Sequence, residues 1–215
     1  MAQIFPQSAN KLPLVLGLAG ALLPAVAVGG VWYYFSPRFT DVGYQPVQPV
    51  PYSHKLHAGE MQIDCRYCHA SVERSAIANV PPTQTCMNCH LLVGRNVASL
   101  DPLRDSAKSG TPMRWVRVHK LGEYAYFDHH VHVTAGVGCA SCHGRVDEME
   151  VVRQVEPLSM SWCLDCHRNP EPHRRPISEI TNMAWKPARD PQARARQLAG
   201  LRPVAPPTDC SGCHR

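Results

Sequence analysis

All ten cysteines of this 215-residue chain fall into five copies of one pattern, Cys-x-x-Cys-His. Two thiols separated by two residues can both bond to one edge of a porphyrin, and the adjacent histidine can then bind its iron. A disulfide framework or structural zinc sites would not require a histidine at the same offset in every copy. The pattern therefore predicts five covalently bound haem c groups.

Each motif supplies two attachment cysteines and one proximal iron ligand. The predicted attachment residues are Cys65, Cys68, Cys86, Cys89, Cys139, Cys142, Cys163, Cys166, Cys210 and Cys213, and the predicted proximal ligands are His69, His90, His143, His167 and His214.

Five haems leave the chain with about 36 residues for each of them after residue 35, too few for an ordinary apolar core. The 20 prolines also disfavour long regular elements. We therefore expect a multihaem cytochrome c fold, in which loops and short α-helices pack around the haems. One N-terminal transmembrane helix is expected in addition.

An uncharged apolar run extends from Leu12 to Phe35 and ends in the aromatic residues Trp32, Tyr33 and Tyr34. About 20 such residues cross a bilayer, and aromatic side chains favour its interface. Ala25-Val26-Ala27 resembles a signal-peptidase site, but the run continues past it, which favours an uncleaved signal anchor. We expect an anchor over 1–35, a proline-rich linker over 36–51 and a pentahaem domain over 52–215.

The net charge of +5 arises from the basic excess of residues 168–215. Each haem carries two propionates, so we interpret these basic side chains as their partners rather than as a nucleic-acid site. Haem c is attached outside the cytoplasm. We therefore expect the N-terminus inside the cytoplasmic membrane and the haem domain on its periplasmic side, in contact with lipid only through the anchor.

Two segments share an aromatic-x-His-x-x-His pattern, and two haem motifs follow each of them. His54 and His57 follow Tyr52, and His129 and His132 follow Phe127. The pattern indicates an internal duplication of 52–90 as 127–167, outside which the fifth motif lies. Histidines three residues apart on a helix point to nearly the same side, which suits the supply of sixth iron ligands.

The pattern resembles that of the small class III multihaem cytochromes. That resemblance implies that His54 binds the haem at Cys65 and Cys68, that His129 binds the haem at Cys139 and Cys142, and that His57 and His132 each bind another haem. His130 breaks the spacing and is expected at the surface or near a propionate. The fifth sixth ligand stays open between His119 and Met160, with His173 ranked below them.

The segments 35–44, 50–59, 65–69, 85–90, 127–132 and 159–168 resemble the pentahaem cytochrome c subunit of alternative complex III. This family belongs to bacterial quinol:electron-acceptor oxidoreductases. The resemblance implies a respiratory or photosynthetic complex with a molybdopterin-like iron–sulfur subunit and polytopic quinol-binding subunits. A cytochrome c or terminal oxidase would accept the electrons, and this chain would hold no substrate site of its own.

Two other functions fit the motifs. A stand-alone membrane-anchored multihaem quinol dehydrogenase also combines one N-terminal span with several haems. A catalytic multihaem reductase would need one haem with an open iron, and the seven histidines outside the motifs count against it.

Overall fold

The computed structural model describes residues 4–214, which form two compact units, 4–41 and 42–214. The α-helices are α1 Leu12–Tyr34, α2 Pro37–Thr40, α3 Cys65–Cys68, α4 Thr83–His90, α5 Asp101–Ser109, α6 His129–Thr134, α7 Ala140–His143, α8 Met160–Arg168 and α9 Pro191–Leu198. Short 3₁₀ turns cover Gln7–Lys11, Ala98–Leu100, Val146–Glu148, Glu171–His173, Ile177–Glu179 and Cys210–Gly212, and Lys55–Glu60 is a π-helical turn.

The first unit consists mainly of the apolar helix α1. Helical residues 7–34 contain a window with a mean hydropathy of 2.2, and the side chains of α1 are not buried within the protein. At its C-terminal end the rings of Tyr33 and Tyr34 pack on Phe39, with centroids 5.7 and 4.8 Å apart. The helix is long and apolar enough to cross a membrane, and its exposed apolar side chains fit a single-pass anchor.

The second unit contains short helices and loops, with no β-strand among the described residues, which contain only isolated bridges at Ala125–His214 and Val137–Arg174. Residues 42–51, part of the predicted linker, lie in this unit, because Gly43 N–H donates to the Gln154 carbonyl and Gln48 bonds with Val116.

Apolar burial in the second unit is sparse. The buried hydrophobic side chains of the described chain are Val50, Leu103, Val133, Val146, Met149 and Ile180. This set is far smaller than the core of an ordinary domain of similar length. The prediction that the polypeptide alone builds no conventional core agrees with this arrangement.

Four of the five motifs lie on short helices, and the fifth lies on a 3₁₀ turn. Side chains at the start of three of these elements accept from backbone N–H groups. Asp64 accepts from Arg66 at 2.8 Å, Ser159 from Trp162 at 3.4 Å and Asp209 from Gly212 at 3.0 Å. Such N-caps satisfy backbone donors that a helix leaves free at its first turn.

The second motif is supported by helix packing. Thr83, at the start of α4, forms a buried 2.7 Å hydrogen bond with Ser106 of α5. Leu103 of α5 is also buried, and Gly110 ends that helix with a left-handed φ of +71°. The pair of helices therefore holds the second motif on a small local scaffold.

Candidate haem-binding sites

The two His-x-x-His segments have the same local geometry. Tyr52 lies 4.7 Å from His54 and 4.5 Å from His57 between ring centroids. Phe127 lies 4.7 Å from His129 and 4.4 Å from His132. Each aromatic residue therefore packs against both histidines of its own segment and fixes the orientation of their rings.

Hydrogen bonds then decide which ring nitrogen is free. His57 Nδ1 is 2.8 Å from the Ser53 carbonyl, and His132 Nδ1 is 2.7 Å from the Asp128 carbonyl. Since a carbonyl can only accept, Nδ1 carries the proton in both rings and Nε2 is left as a metal-binding nitrogen.

Four of the five proximal histidines follow the same rule. Nδ1 of His69 bonds to the Asn79 carbonyl, that of His90 to Val93, that of His167 to Pro207 and that of His214 to Tyr124, at 2.5 to 3.1 Å. These carbonyl partners are functional groups that the motifs do not reveal, because any backbone can supply them. They orient the imidazoles and raise their basicity as ligands.

Two histidine pairs lie at the separation that an iron atom requires. His57 and His90 have ring centroids 6.2 Å apart, and His132 and His167 have centroids 6.1 Å apart. Two metal–nitrogen bonds of ~2 Å and the half-widths of two rings add up to roughly 6 Å. The second histidine of each His-x-x-His segment therefore faces the second haem motif of the same repeat.

Five more histidines gather around the first and third motifs: His54, His69, His119, His129 and His143. His129 lies 6.4 Å from His143 between centroids, whereas His119 contacts His143 edge-on at 4.3 Å. Only the 6.4 Å pair leaves room for an iron between the rings.

Burial favours the neutral form of His54, His119 and His143. It lowers the pKa of His143 to about 3, with His119 as the next cause, and that of His54 to about 4, with His69 next. His119 Nε2 and His54 Nδ1 are buried and have no hydrogen-bond partner. Buried neutral imidazoles with unpaired nitrogens are suited to iron, so the residues present fit haem.

The fifth site differs from the others. In the described part of the chain, the ring contacts of His214 include Tyr124 at 5.9 Å and no second histidine. His119 lies in the cluster around His143, His173 is exposed, and Met160 is 67% exposed at the start of α8. The structure thus brings none of the three candidates for the fifth sixth ligand into a ring contact with His214.

Thiols of different motifs influence one another's pKa. Burial raises the pKa of Cys68, with Cys86 as the next cause, and raises that of Cys65 to about 11, with Cys139 next. In the same way Cys166 acts on Cys142, and Cys213 acts on Cys163. Since such interactions act between near neighbours, they indicate that the first motif lies near the second and the third, and that the fourth lies near the third and the fifth.

The two predicted repeats dock on each other reciprocally. Lys55 N–H donates to the Met149 carbonyl at 3.0 Å, and His130 N–H donates to the Ser75 carbonyl at 3.3 Å. Met149 and Ser75 each lie six residues after a motif histidine, in the repeat opposite to the donor. Each His-x-x-His segment is therefore held by the loop that follows the other repeat's first motif.

The C-terminal part of the chain resembles a known family. Residues 125–215 match the family described as cytochrome c7 and related cytochrome c. This part of the chain is cytochrome c7-like, which confirms the predicted multihaem fold class and implies covalently bound haem c.

A curated relative extends the likeness. The chain is 29% identical, over 133 residues, to the menaquinone reductase multihaem cytochrome c subunit of Nitratidesulfovibrio vulgaris. The match covers 61% of this chain and 58% of that protein, so the chain spans little more than half of its relative's length.

Proposed function

We propose that this chain binds five haem c groups and relays single electrons within a membrane-bound, quinone-linked complex. The observation that carries the proposal is the pairing of histidines across an iron-sized gap at the second, third and fourth motifs, with ring centroids 6.1 to 6.4 Å apart. When bound, each haem supplies an iron that accepts and returns one electron.

The polypeptide's part is to bind and orient. The cysteine pairs fix each porphyrin edge, and the carbonyl-bound histidines present Nε2 to iron. We assign His57 as partner of His90, His132 as partner of His167 and His129 as partner of His143, on the centroid distances of 6.1 to 6.4 Å. We assign His54 to the first site, as the resemblance to the small multihaem cytochromes implies, and the influence of His69 on the pKa of His54 agrees with this.

The apolar helix α1 would anchor the chain, with the N-terminus inside and the haem domain on the periplasmic side. We propose partner subunits of the alternative complex III type: a molybdopterin-like iron–sulfur subunit and polytopic quinol-binding subunits. A cytochrome c or terminal oxidase would be the acceptor. The resemblance of the motif segments supports this assembly, and so does the relative's name as one subunit of a menaquinone reductase.

The test is purification of the tagged full chain from membranes in mild detergent, followed by mass spectrometry of the copurifying proteins and of the chain itself. We expect five haem additions on the chain and the iron–sulfur and polytopic subunits beside it. A chain that arrives alone and is reduced directly by a quinol analogue would overturn the relay and favour a stand-alone quinol dehydrogenase.

Two observations favour second candidates. The relative is named a reductase of menaquinone, so the electrons could run from the haems toward quinone in this chain as well. Reduction kinetics of the purified complex, started either with quinol or with reduced cytochrome c, distinguish the two directions.

His214 has no histidine among its ring contacts in residues 4–214, which favours a catalytic reductase with one open iron. Binding of carbon monoxide to one reduced haem would support that candidate.

A further inference from the structure

Two arginine side chains share the ring of Trp185. The guanidinium carbon of Arg175 lies 4.9 Å from the ring centroid, and that of Arg194 lies 5.3 Å from it. Arg175 is only 6% exposed. Across residues 4–214 neither guanidinium forms an ion pair, although the neighbouring Arg174 pairs with Glu171 at 2.8 Å. Two positive charges therefore lie close together without a paired anion, and one of them is buried. A buried charge without a partner raises the free energy of the folded state.

Each of the two guanidinium groups has a buried nitrogen without a hydrogen-bond partner. Arg175 Nη1 donates to the Asn182 carbonyl at 2.8 Å, but its Nε is buried without a partner. Arg194 Nη2 donates to the carbonyls of Glu171 and Arg174 at 2.6 and 2.7 Å, but its Nη1 is buried without a partner. By contrast, Nε, Nη1 and Nη2 of Arg174 are all bonded.

The nearby carboxylates are engaged elsewhere. Glu171 Oε1 accepts from Arg174, and Glu179 Oε2 accepts from the Asn182 side chain at 2.6 Å. Glu179 acts on Arg175 electrostatically without a direct bond. These carboxylates therefore do not supply an acceptor for Arg175 Nε or Arg194 Nη1.

The arginine pair adjoins a haem motif. A Cβ atom at Gly138 would collide with the guanidinium of Arg175, so that group lies directly against the residue before Cys139. The glycine provides the space in which the guanidinium fits. An anion bound here lies within the haem-carrying part of the chain.

We propose that Arg175 and Arg194 form a carboxylate-binding site, with Arg175 Nε and Arg194 Nη1 as its donors. Guanidinium groups match carboxylates in charge and geometry, and they bind them more strongly than neutral donors do. The carboxylate is either a haem propionate, a source that rests on the proposed function, or a free carboxylate. Propionates leave a porphyrin opposite its thioether edge, so a propionate bound at this site would belong to a haem other than the one at Cys139.

The test is potentiometric titration of the haem-loaded full chain, carrying Arg194→Gln or Arg175→Gln. The matched control is Arg196→Gln, since Arg196 is exposed on the same helix, α9. If a propionate is bound, we expect Arg194→Gln to lower the midpoint potential of one haem, because a lost positive charge favours oxidised iron. Arg196→Gln leaves all potentials unchanged, and acetate at constant ionic strength does not affect the wild type.

A wild-type potential that shifts with acetate, and no longer does so in Arg194→Gln, assigns the site to a free carboxylate. Potentials that stay unchanged in both variants and with acetate overturn the site. If Arg175→Gln fails to fold, Arg194→Gln decides alone, because that residue is only half-buried. Haem content is measured by mass in the same samples, so a count below five overturns the proposed function separately.

Discussion

Asp64, directly before the first motif, combines a helix cap with an ion pair. Its carboxylate accepts from the N–H of Arg66, from the Arg66 guanidinium and from Thr181 Oγ1, at 2.8 to 3.0 Å. The bonds to the Arg66 side chain are the main reason that the pKa of Asp64 falls to about 2. The negative charge is therefore kept down to strongly acidic pH.

We expect Asp64→Ala to lower the free energy of unfolding by about 1 kcal/mol at neutral pH, as the loss of an N-cap does. Because the pKa is depressed in the folded state, this contribution is complete above about pH 4 and is lost as the pH falls toward 2. Denaturant unfolding of the haem-loaded domain at several pH values measures it.

The control is Asp105→Ala, since Asp105 is exposed on α5. This variant should lose no stability. Unfolding energies of wild type and Asp64→Ala that differ equally at pH 7 and pH 2 would contradict the role of the charge.

Single residues also show what the sequence could predict. Asp190, Pro191 and Gly200 predict a short helix, and the structure confirms it as α9, with Asp190 accepting from Ala193 N–H at 2.7 Å. The carbonyl partner of His214 could not be predicted, because Tyr124 lies 90 residues away and contributes only backbone. A helix cap can be predicted because the residues that form it are neighbours in the sequence. The carbonyl acceptors of the histidines cannot, because they depend on which distant segments pack together.

Among the elements, the two His-x-x-His segments differ in helix type. The second lies on α6, but Lys55–Glu60 of the first is a π-helical turn. Three-residue spacing indicates that both histidines lie on one side of a turn, yet it does not distinguish α from π geometry. The reciprocal docking could not be predicted either. A repeat pattern shows which segments are equivalent, but it does not show which segments contact each other.

We expect His57→Ala and His132→Ala each to convert one haem from low spin to high spin. The reason is that each imidazole faces a motif histidine at the distance of an iron-bridged pair. Electron paramagnetic resonance of the oxidised chain measures the change. His130→Ala is the control, because His130 is exposed. This variant should leave the spin state of every haem unchanged. Unchanged spectra in His57→Ala would exclude it as a ligand.

Close packing between elements makes Gly59 irreplaceable. A Cβ atom there would collide with the backbone carbonyl of Asp147, which cannot move aside as a side chain can. We expect Gly59→Ala to shift the turn that carries His57, weaken its iron bond and lower the melting temperature. The control is Gly29→Ala in α1, because a Cβ atom at Gly29 meets no other atom within 4 Å. Gly110 would not serve as a control, because its left-handed φ makes any substitution strained. Equal melting of Gly59→Ala and wild type would contradict the contact.

At the scale of the whole molecule, the anchor and the haem domain are separable in sequence. We expect a chain that begins at residue 42 behind a cleavable secretion signal to appear in the soluble periplasmic fraction with its haems attached. The full chain should stay with the membrane after an alkaline carbonate wash, which is the matched comparison. A truncated chain that remains on the membrane would show that partner subunits, rather than α1, retain it.

The sparse apolar core makes the second unit dependent on its cofactors. We expect the chain produced in the cytoplasm, where haem c is not attached, to be largely unfolded, because its few buried side chains cannot offset the chain's conformational entropy. Hydrogen exchange of the unattached chain measures this, with the haem-loaded protein as reference. Slow exchange through α4 to α8 without haem would contradict it.

The reciprocal hydrogen bonds of Lys55 and His130 have the symmetry of a two-subunit assembly. Two copies of one ancestral dihaem chain, related by a two-fold axis, would each have clasped the other's loop in this way. Gene fusion would have made these hydrogen bonds intramolecular, and the two copies could then diverge in sequence. The fifth motif, outside the symmetric pair, would then be a later addition that extends the relay beyond the older dimer.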